Sequence, residues 1–285
     1  MADGFKFRGK KILILTITLA LVILFFYWQN NDIVISNFEY SNDKIPQSFD
    51  GFKILQVSDL HNKQFGKNQE NLIKKTKKIQ PDIIVITGDL IDSNRTNIDI
   101  AMEYVKQAKN IAPVYYVTGN HEKRSSEYTD LSIQLIESGV VILDNQTILL
   151  KKGNETIALM GLGDPYPCTW SVIEEQIVND TLDTTVKEVT GYFKILLSHR
   201  PELIELYANH EIDLVFSGHV HGGQFRIPLI GGLYAPGQGF FPKYTNGVIV
   251  NDNTTMIVSR GLGNSVIPVR IFNRPELVVL TMHGK

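Results

Sequence analysis

Aspartate, asparagine and histidine gather in five short clusters of this 285-residue chain: Asp59-Leu60-His61, Gly88-Asp89, Gly119-Asn120-His121-Glu122, Ser198-His199 and Gly218-His219-Val220-His221. Five of the seven histidines fall in these clusters, and His210 and His283 stand apart. A single histidine beside an apolar run is usually structural. Five arriving next to Asp, Asn and Gly at the same kind of position need a common cause. Imidazole nitrogen with carboxylate and amide oxygen is a donor set for divalent Mn, Fe or Zn. His219 and His221 are two apart, so in extended backbone both side chains project to one side and can reach neighbouring ions. The glycines before Asp89, Asn120 and His219 permit tight turns or a close backbone approach.

Each cluster follows an apolar run rich in Val, Ile, Leu and aromatics, at 52–57, 82–87, 114–118, 193–197 and 213–216. Runs of this length ending abruptly in polar residues predict strands. Segments 68–79 and 97–109 carry helical periodicity with exposed lysines and have the length of βαβ crossovers, which predicts parallel pairing. The spacing agrees: Asp59 to Asp89 is 30 positions and Asp89 to Asn120 is 31. In an open α/β sheet the carboxyl ends of the strands share one edge, so residues distant in sequence converge there. Turn residues Asp144-Asn145 and Lys152-Gly153-Asn154 divide 140–158 into short apolar runs, predicting an antiparallel hairpin in a second sheet. Runs 256–258 and 277–280 also read as strands. The fold class is therefore α/β.

The clusters resemble the calcineurin-like metallophosphoesterase family, whose D-x-H, G-D, G-N-H-E/D, single His and G-H-x-H motifs are matched one for one between Lys53 and Gly223. The resemblance implies a two-sheet αββα sandwich. It also implies two divalent metal ions, with Asp59, His61 and His221 on one, Asn120, His199 and His219 on the other, and Asp89 bridging. The stretch GHVHGGQFRIPLIGGLYAPG (218–237), with Ser259-Arg260-Gly261-Leu262-Gly263-Asn264, is similar to a membrane-associated bacterial branch containing phosphodiesterases and UDP-diacylglucosamine pyrophosphatases. Two cations about 3.5 to 4 Å apart lower the pKa of a bridging water, orient it for attack on phosphorus and neutralise the phosphoryl oxygens. By the same resemblance His121 stabilises the transition state or protonates the leaving oxygen; orienting Asp59 is its alternative role. Arg200 and Arg260 are candidates to bind a substrate phosphate, because guanidinium pairs bidentately with phosphate oxygens.

Composition bounds the rest. A formal net charge of −2 disfavours a nucleic-acid binder that relies on its phosphates. The single cysteine, Cys168, forms no internal disulfide and no Cys-rich zinc site, and reads as a small core or loop residue. Lys6, Arg8, Lys10 and Lys11 precede an apolar run at 12–28 ending in Tyr27-Trp28. As a helix that run spans about 25 Å, slightly short of a hydrocarbon core of about 30 Å, so lysines and aromatics would anchor its ends. A secretory signal and a buried core helix compete with this reading, but no small-x-small cleavage site follows the run. The expected organisation is a cytoplasmic basic tail at 1–11, a transmembrane anchor at 12–28, a linker at 29–42 and a catalytic domain at 43–285 on the extracytoplasmic side. The apolar segment 225–241 reads as a hairpin packed on the core or as a wall for an apolar substrate. The expected activity is two-metal hydrolysis of a phosphodiester or pyrophosphate bond in a lipid or cell-envelope metabolite. A phosphomonoesterase or protein phosphatase is the alternative within the class, and a non-catalytic, metal-stabilised binding module the alternative outside it. No protein partner is inferable.

Overall fold

The computed structural model describes residues 2–165, 172–235, 239–264 and 268–284, so Cys168 lies outside the described residues. In chain order the first half holds α1 (Ala2–Asn31), β1 (Val34–Asn42), β2 (Phe52–Val57), α2 (Glu70–Ile79), β3 (Ile83–Thr87), α3 (Ile98–Ala108), β4 (Val114–Val117), α4 (Asn120–Arg124), α5 (Tyr128–Glu137) and β5 (Val141–Ile142). The second half holds β6 (Gln146–Lys152), β7 (Glu155–Leu162), α6 (Val172–Lys187), β8 (Lys194–Ser198), α7 (Ile204–Asn209) and β9 (Leu214–Ser217). Four two-residue strands follow, β10 (Arg226–Ile227), β11 (Gly231–Gly232), β12 (Tyr234–Ala235) and β13 (Gly239–Phe240), then β14 (Gly247–Asn251), β15 (Thr254–Val258) and β16 (Glu276–Gly284).

Two six-stranded sheets form the body, in the orders β1-β16-β2-β3-β4-β5 and β14-β15-β9-β8-β7-β6. The chemistry-bearing strands are parallel within each sheet: β2, β3 and β4 in the first, β8 and β9 in the second. Strict alternation along each strand sorts its side chains into different layers. On β3, Ile83 and Val85 face the other sheet and meet Leu159, Ile195 and Phe216, whereas Ile84 and Ile86 face the helices and meet Leu72, Met102 and Val105. On the second sheet Met160, Leu196 and Val215 pack outward against Leu182, Ile204 and Tyr207. The layers are helix, sheet, sheet, helix, the expected αββα sandwich. The turn at Lys152-Gly153-Asn154 joins β6 and β7 antiparallel, as expected, while Val141–Ile142 belongs to the first sheet.

Residues 29–42, expected as a linker, are instead the last turn of α1 and strand β1. β1 pairs in parallel with β16 along its whole length, from Val34↔Glu276 to Asn42↔Gly284. Its partner is about as far away in sequence as the chain allows, which is why local composition hid it. Ile33 is buried, and Phe38 and Tyr40 pack on the inter-sheet core, so the folded domain starts before residue 43.

Helix α1 contains a 23-residue stretch, Gly9–Asn31, that is almost wholly exposed along its apolar part and is long and apolar enough to cross a membrane. Its end is fastened to the domain. Arg274 pairs with Asp32 and stacks over Trp28, Lys63 donates to the Asn30 carbonyl, and Arg270 N donates to Asn30 Oδ1 at 2.8 Å.

Candidate metal centre

Strand register brings the five clusters together. Val57 pairs with Ile86, Thr87 with Val117, and Leu197 with Phe216, so the residues following each strand emerge on one edge. The two sheets are tied across that edge: buried Gln56 donates to Thr87 Oγ1 and to the Ser217 carbonyl, each at 2.9 Å. His199 Nδ1 lies 2.8 Å from the Thr87 carbonyl, and His219 N donates to both Asp59 oxygens at 3.1 and 3.2 Å. These close approaches leave no room for a Cβ at Gly119 or Gly218, where one would fall 2.3 Å from Asp89 Oδ1 and 2.0 Å from Ser58 Oγ.

Asp59, His61, Asp89, His219 and His221 all sit at positive φ, between 47° and 73°. Left-handed backbone is uncommon outside glycine and persists where the surroundings over-determine it. Here it turns each donor back over the strand ends.

Three groups of donors result. Asp59, His61, Asp89 and His221 form one and Asp89, His199 and His219 another, so Asp89 is common to these two, while His61, Asp92 and His121 form the third. Asp89 Oδ2 is 3.5 Å from His61 Nε2 and 3.2 Å from His199 Nε2; His221 Nε2 is 3.4 Å from Asp59 Oδ1 and 3.0 Å from His61 Nε2. Burial pushes the pKa of His61 down to about 3 and holds His219 and His221 well below the usual range, so these imidazoles carry free lone pairs at neutral pH. Burial also disfavours charge on Asp89 and His199, but their mutual attraction outweighs it, keeping Asp89 ionised and raising His199 to about 10. A dication between them would take over that compensating role. Burial raises Asp59 to about 6, with His199 opposing.

The donor set fits metal ions. Asn120 Oδ1 is buried without a hydrogen-bond partner, a cost that an ion would remove. With Nδ1 of His199 directed at a backbone carbonyl, Nε2 is the nitrogen that faces Asp89, and an ion between them would replace its proton, the orientation usual for a metal-bound histidine.

His121 stands beside this group. Its backbone N donates to Asp89 Oδ1 at 2.8 Å, and its ring centre lies 4.4 Å from that of His61. Ser93 N donates to its Nδ1 at 3.0 Å. A backbone N–H can only donate, so the neutral ring carries its proton on Nε2. Burial lowers its pKa from the ordinary value, with Asp89 opposing.

Both arginines singled out from sequence have protein partners. Arg200 is buried and grips Asp164 at two points, Nε to Oδ2 at 2.6 Å and Nη2 to Oδ1 at 3.1 Å, with Nη1 3.0 Å from His219 Nε2. Arg260 bonds Glu276 Oε1 at 2.8 Å. Sequence reading missed three supports. Glu122 accepts from the N–H groups of Asp89, Gly119 and Ile91, although burial pushes its pKa up to about 8. Asp92 lies 3.7 Å from His61 Nδ1. Arg270, fully enclosed, donates to the Gly263 and Arg260 carbonyls and reaches His221 Nδ1 at 3.4 Å. Only Glu122 carried a local signal, its place beside Asn120-His121.

The family model of calcineurin-like phosphoesterases matches residues 52–223, from β2 to the turn holding His221. The chain belongs to that family. An uncharacterised metallophosphoesterase of Bacillus subtilis strain 168, YkuE, is 30% identical over 84% of this chain and 81% of its own length. The phosphodiesterase YaeI of Escherichia coli K12 is 26% identical over 81% and 82%. Among solved structures, TT1561 of Thermus thermophilus superposes with a TM-score of 0.52 at 13% identity, covering 74% of this chain and 90% of that one. That likeness concerns the fold. The chain is thus a metal-dependent phosphoester hydrolase with a two-metal centre.

Proposed function

We propose that this phosphoesterase cleaves a phosphodiester or pyrophosphate bond in a lipid or envelope metabolite, anchored by α1. The observation carrying the chemistry is Asp89, shared by two buried donor groups. In this reading Asp59, His61 and His221 hold one ion, Asn120, His199 and His219 the other, and Asp89 both. When bound, the ions supply Lewis acidity toward the phosphoryl oxygens and toward the attacking water. The protein holds the donors in place: Glu122 fixes the Gly88–Asp89 and Gly119 backbone, and Arg270 braces the loop beside His221. His121 would donate a hydrogen bond from its Nε2–H to the leaving oxygen as charge builds there. Arg200, committed to Asp164, orients His219.

The name of the relative YaeI supports the diester preference, and the exposed apolar helix supports a membrane-resident substrate. Lysines and arginine ahead of the apolar run of that helix favour a cytoplasmic N-terminus and an extracytoplasmic domain; cleavage of the domain by protease added outside intact cells checks this. The activity test uses the full chain in detergent, stripped of metal and reloaded with Mn, Fe or Zn. Restored hydrolysis of a chromogenic diester in preference to the matching monoester is expected. A monoester preference would replace this reading with a phosphatase, and two bound metals without turnover on any phosphoester would make the domain a binding module.

A further inference from the structure

The metal centre makes no use of the apolar loop that follows it. Segment 225–241 carries Arg226 as its only charge, and the guanidinium turns inward to the Gly222 carbonyl at 2.9 Å and to Thr245 Oγ1 at 3.3 Å. Its outer side is apolar: Leu229 is fully exposed, Ile230 66%, Phe240 72% and Phe241 64%, with Phe272 beside the loop at 53%. Leu229, Phe241 and Phe272 stand at positive φ, a conformation that large side chains avoid. Large apolar groups displayed this way mark an interaction surface.

We propose that hairpins β10–β11 and β12–β13, together with Phe272, form a second membrane contact, immersed in the bilayer beside α1 and turning the metal centre toward lipid. This rests on reading α1 as a membrane anchor. Phe25 lies three residues before Trp28, about 4.5 Å deeper along the helix axis, and packs edge-on against Phe272 with ring centres 5.8 Å apart. Whatever touches Phe25 shares its depth. From Phe272 the surface continues directly into the loop: Ile271 accepts from Arg226 N at 3.0 Å and bridges Phe225. The first hairpin in turn lies on the turn carrying His221, since a Cβ on Gly223 would fall 2.5 Å from the Gly232 Cα. The surface is therefore continuous from the anchor to the metal centre, and an apolar rim flanked by the exposed Lys243 fits the boundary between headgroups and acyl chains.

The test uses the full chain with Cys168→Ser and single cysteines in place of Leu24, Leu229, Phe241 or Val250, each carrying an environment-sensitive fluorophore. The proteins are reconstituted in phosphatidylglycerol and phosphatidylethanolamine vesicles with brominated acyl chains. Reporters at 24, 229 and 241 are expected to lose about half of their emission to brominated lipid, while the reporter at 250, exposed on β14, answers only to aqueous iodide. Reporters at 229 and 241 that follow 250 would overturn the proposal. So would shielding from both quenchers, which would mean that a second copy or another protein covers the loop. Absence of lipid quenching at 24 as well would remove the anchor reading together with the proposal. None of these readouts depends on turnover, so a failed substrate assignment is distinguishable from a failed membrane contact.

Discussion

The metal cradle and the loop that follows it are adjacent in sequence and opposite in construction. In the cradle every donor is buried, five of the seven sit in left-handed backbone, hydrogen bonds join the two sheets, and a Cβ added at Gly119 or Gly218 would collide with the aspartates. In the loop the pairing is reduced to two-residue ladders, and the large side chains point outward. The cradle is over-determined because chemistry needs donors fixed to within a fraction of an ångström. The loop's light hold suits the partner proposed for it, a surface rather than an atom. The difference separates two roles: the reaction lies in strand ends that a whole family shares, and the proposed membrane contact lies in the loop.

The largest expected effect is on the cradle's shared ligand. Asp89→Asn should lower kcat/KM on a diester by about a thousandfold or more, at least 4 kcal/mol at 1.36 kcal/mol per decade, with fewer than two metals bound by elemental analysis. Retention of both metals and activity would break the claim that one carboxylate serves both groups. His121→Ala should reduce kcat by about a hundredfold or more on diesters with alkoxide leaving groups and much less with nitrophenolate, whose spread charge gains little from a hydrogen bond; equal losses on both would assign His121 a positioning role. Arg270→Met should weaken metal binding by about tenfold to a hundredfold, seen as a higher metal concentration for half-maximal activity. The smallest effect belongs to the loop. Leu229→Asp combined with Ile230→Asp should lower the ratio of vesicle-embedded to dispersed diester turnover by several-fold. A ratio that stays put would show the loop to be a bystander.

The cradle was legible because each donor lies beside a strand end, and strand ends are written locally in the passage from Val and Ile to Asp, Gly and His. Its bracing was not. Arg270 and Asp164 act on His221 and on Arg200 across long stretches of chain, and nothing near either residue advertises it. Arg200 looked like a hand for phosphate because the partner that occupies it sits 36 positions away. The segment taken for a linker failed for the same reason. In Val-Ile-Ser-Asn-Phe-Glu-Tyr only the last three residues alternate as a half-buried strand does, and among the described residues its sheet neighbour is β16, more than 230 positions away.

That missing linker changes how substrate is found. With α1 ending at Asn31, β1 beginning at Val34, and Asn30, Asp32 and Trp28 bonded to Arg270 and Arg274, the catalytic centre rides on a stiff mast rather than a leash. With α1 as the proposed anchor, its height above the membrane would be fixed and its search confined to two dimensions. Turnover of a membrane-resident substrate should then follow that substrate's mole fraction in the bilayer, and diluting the vesicles in buffer should leave the rate per enzyme unchanged.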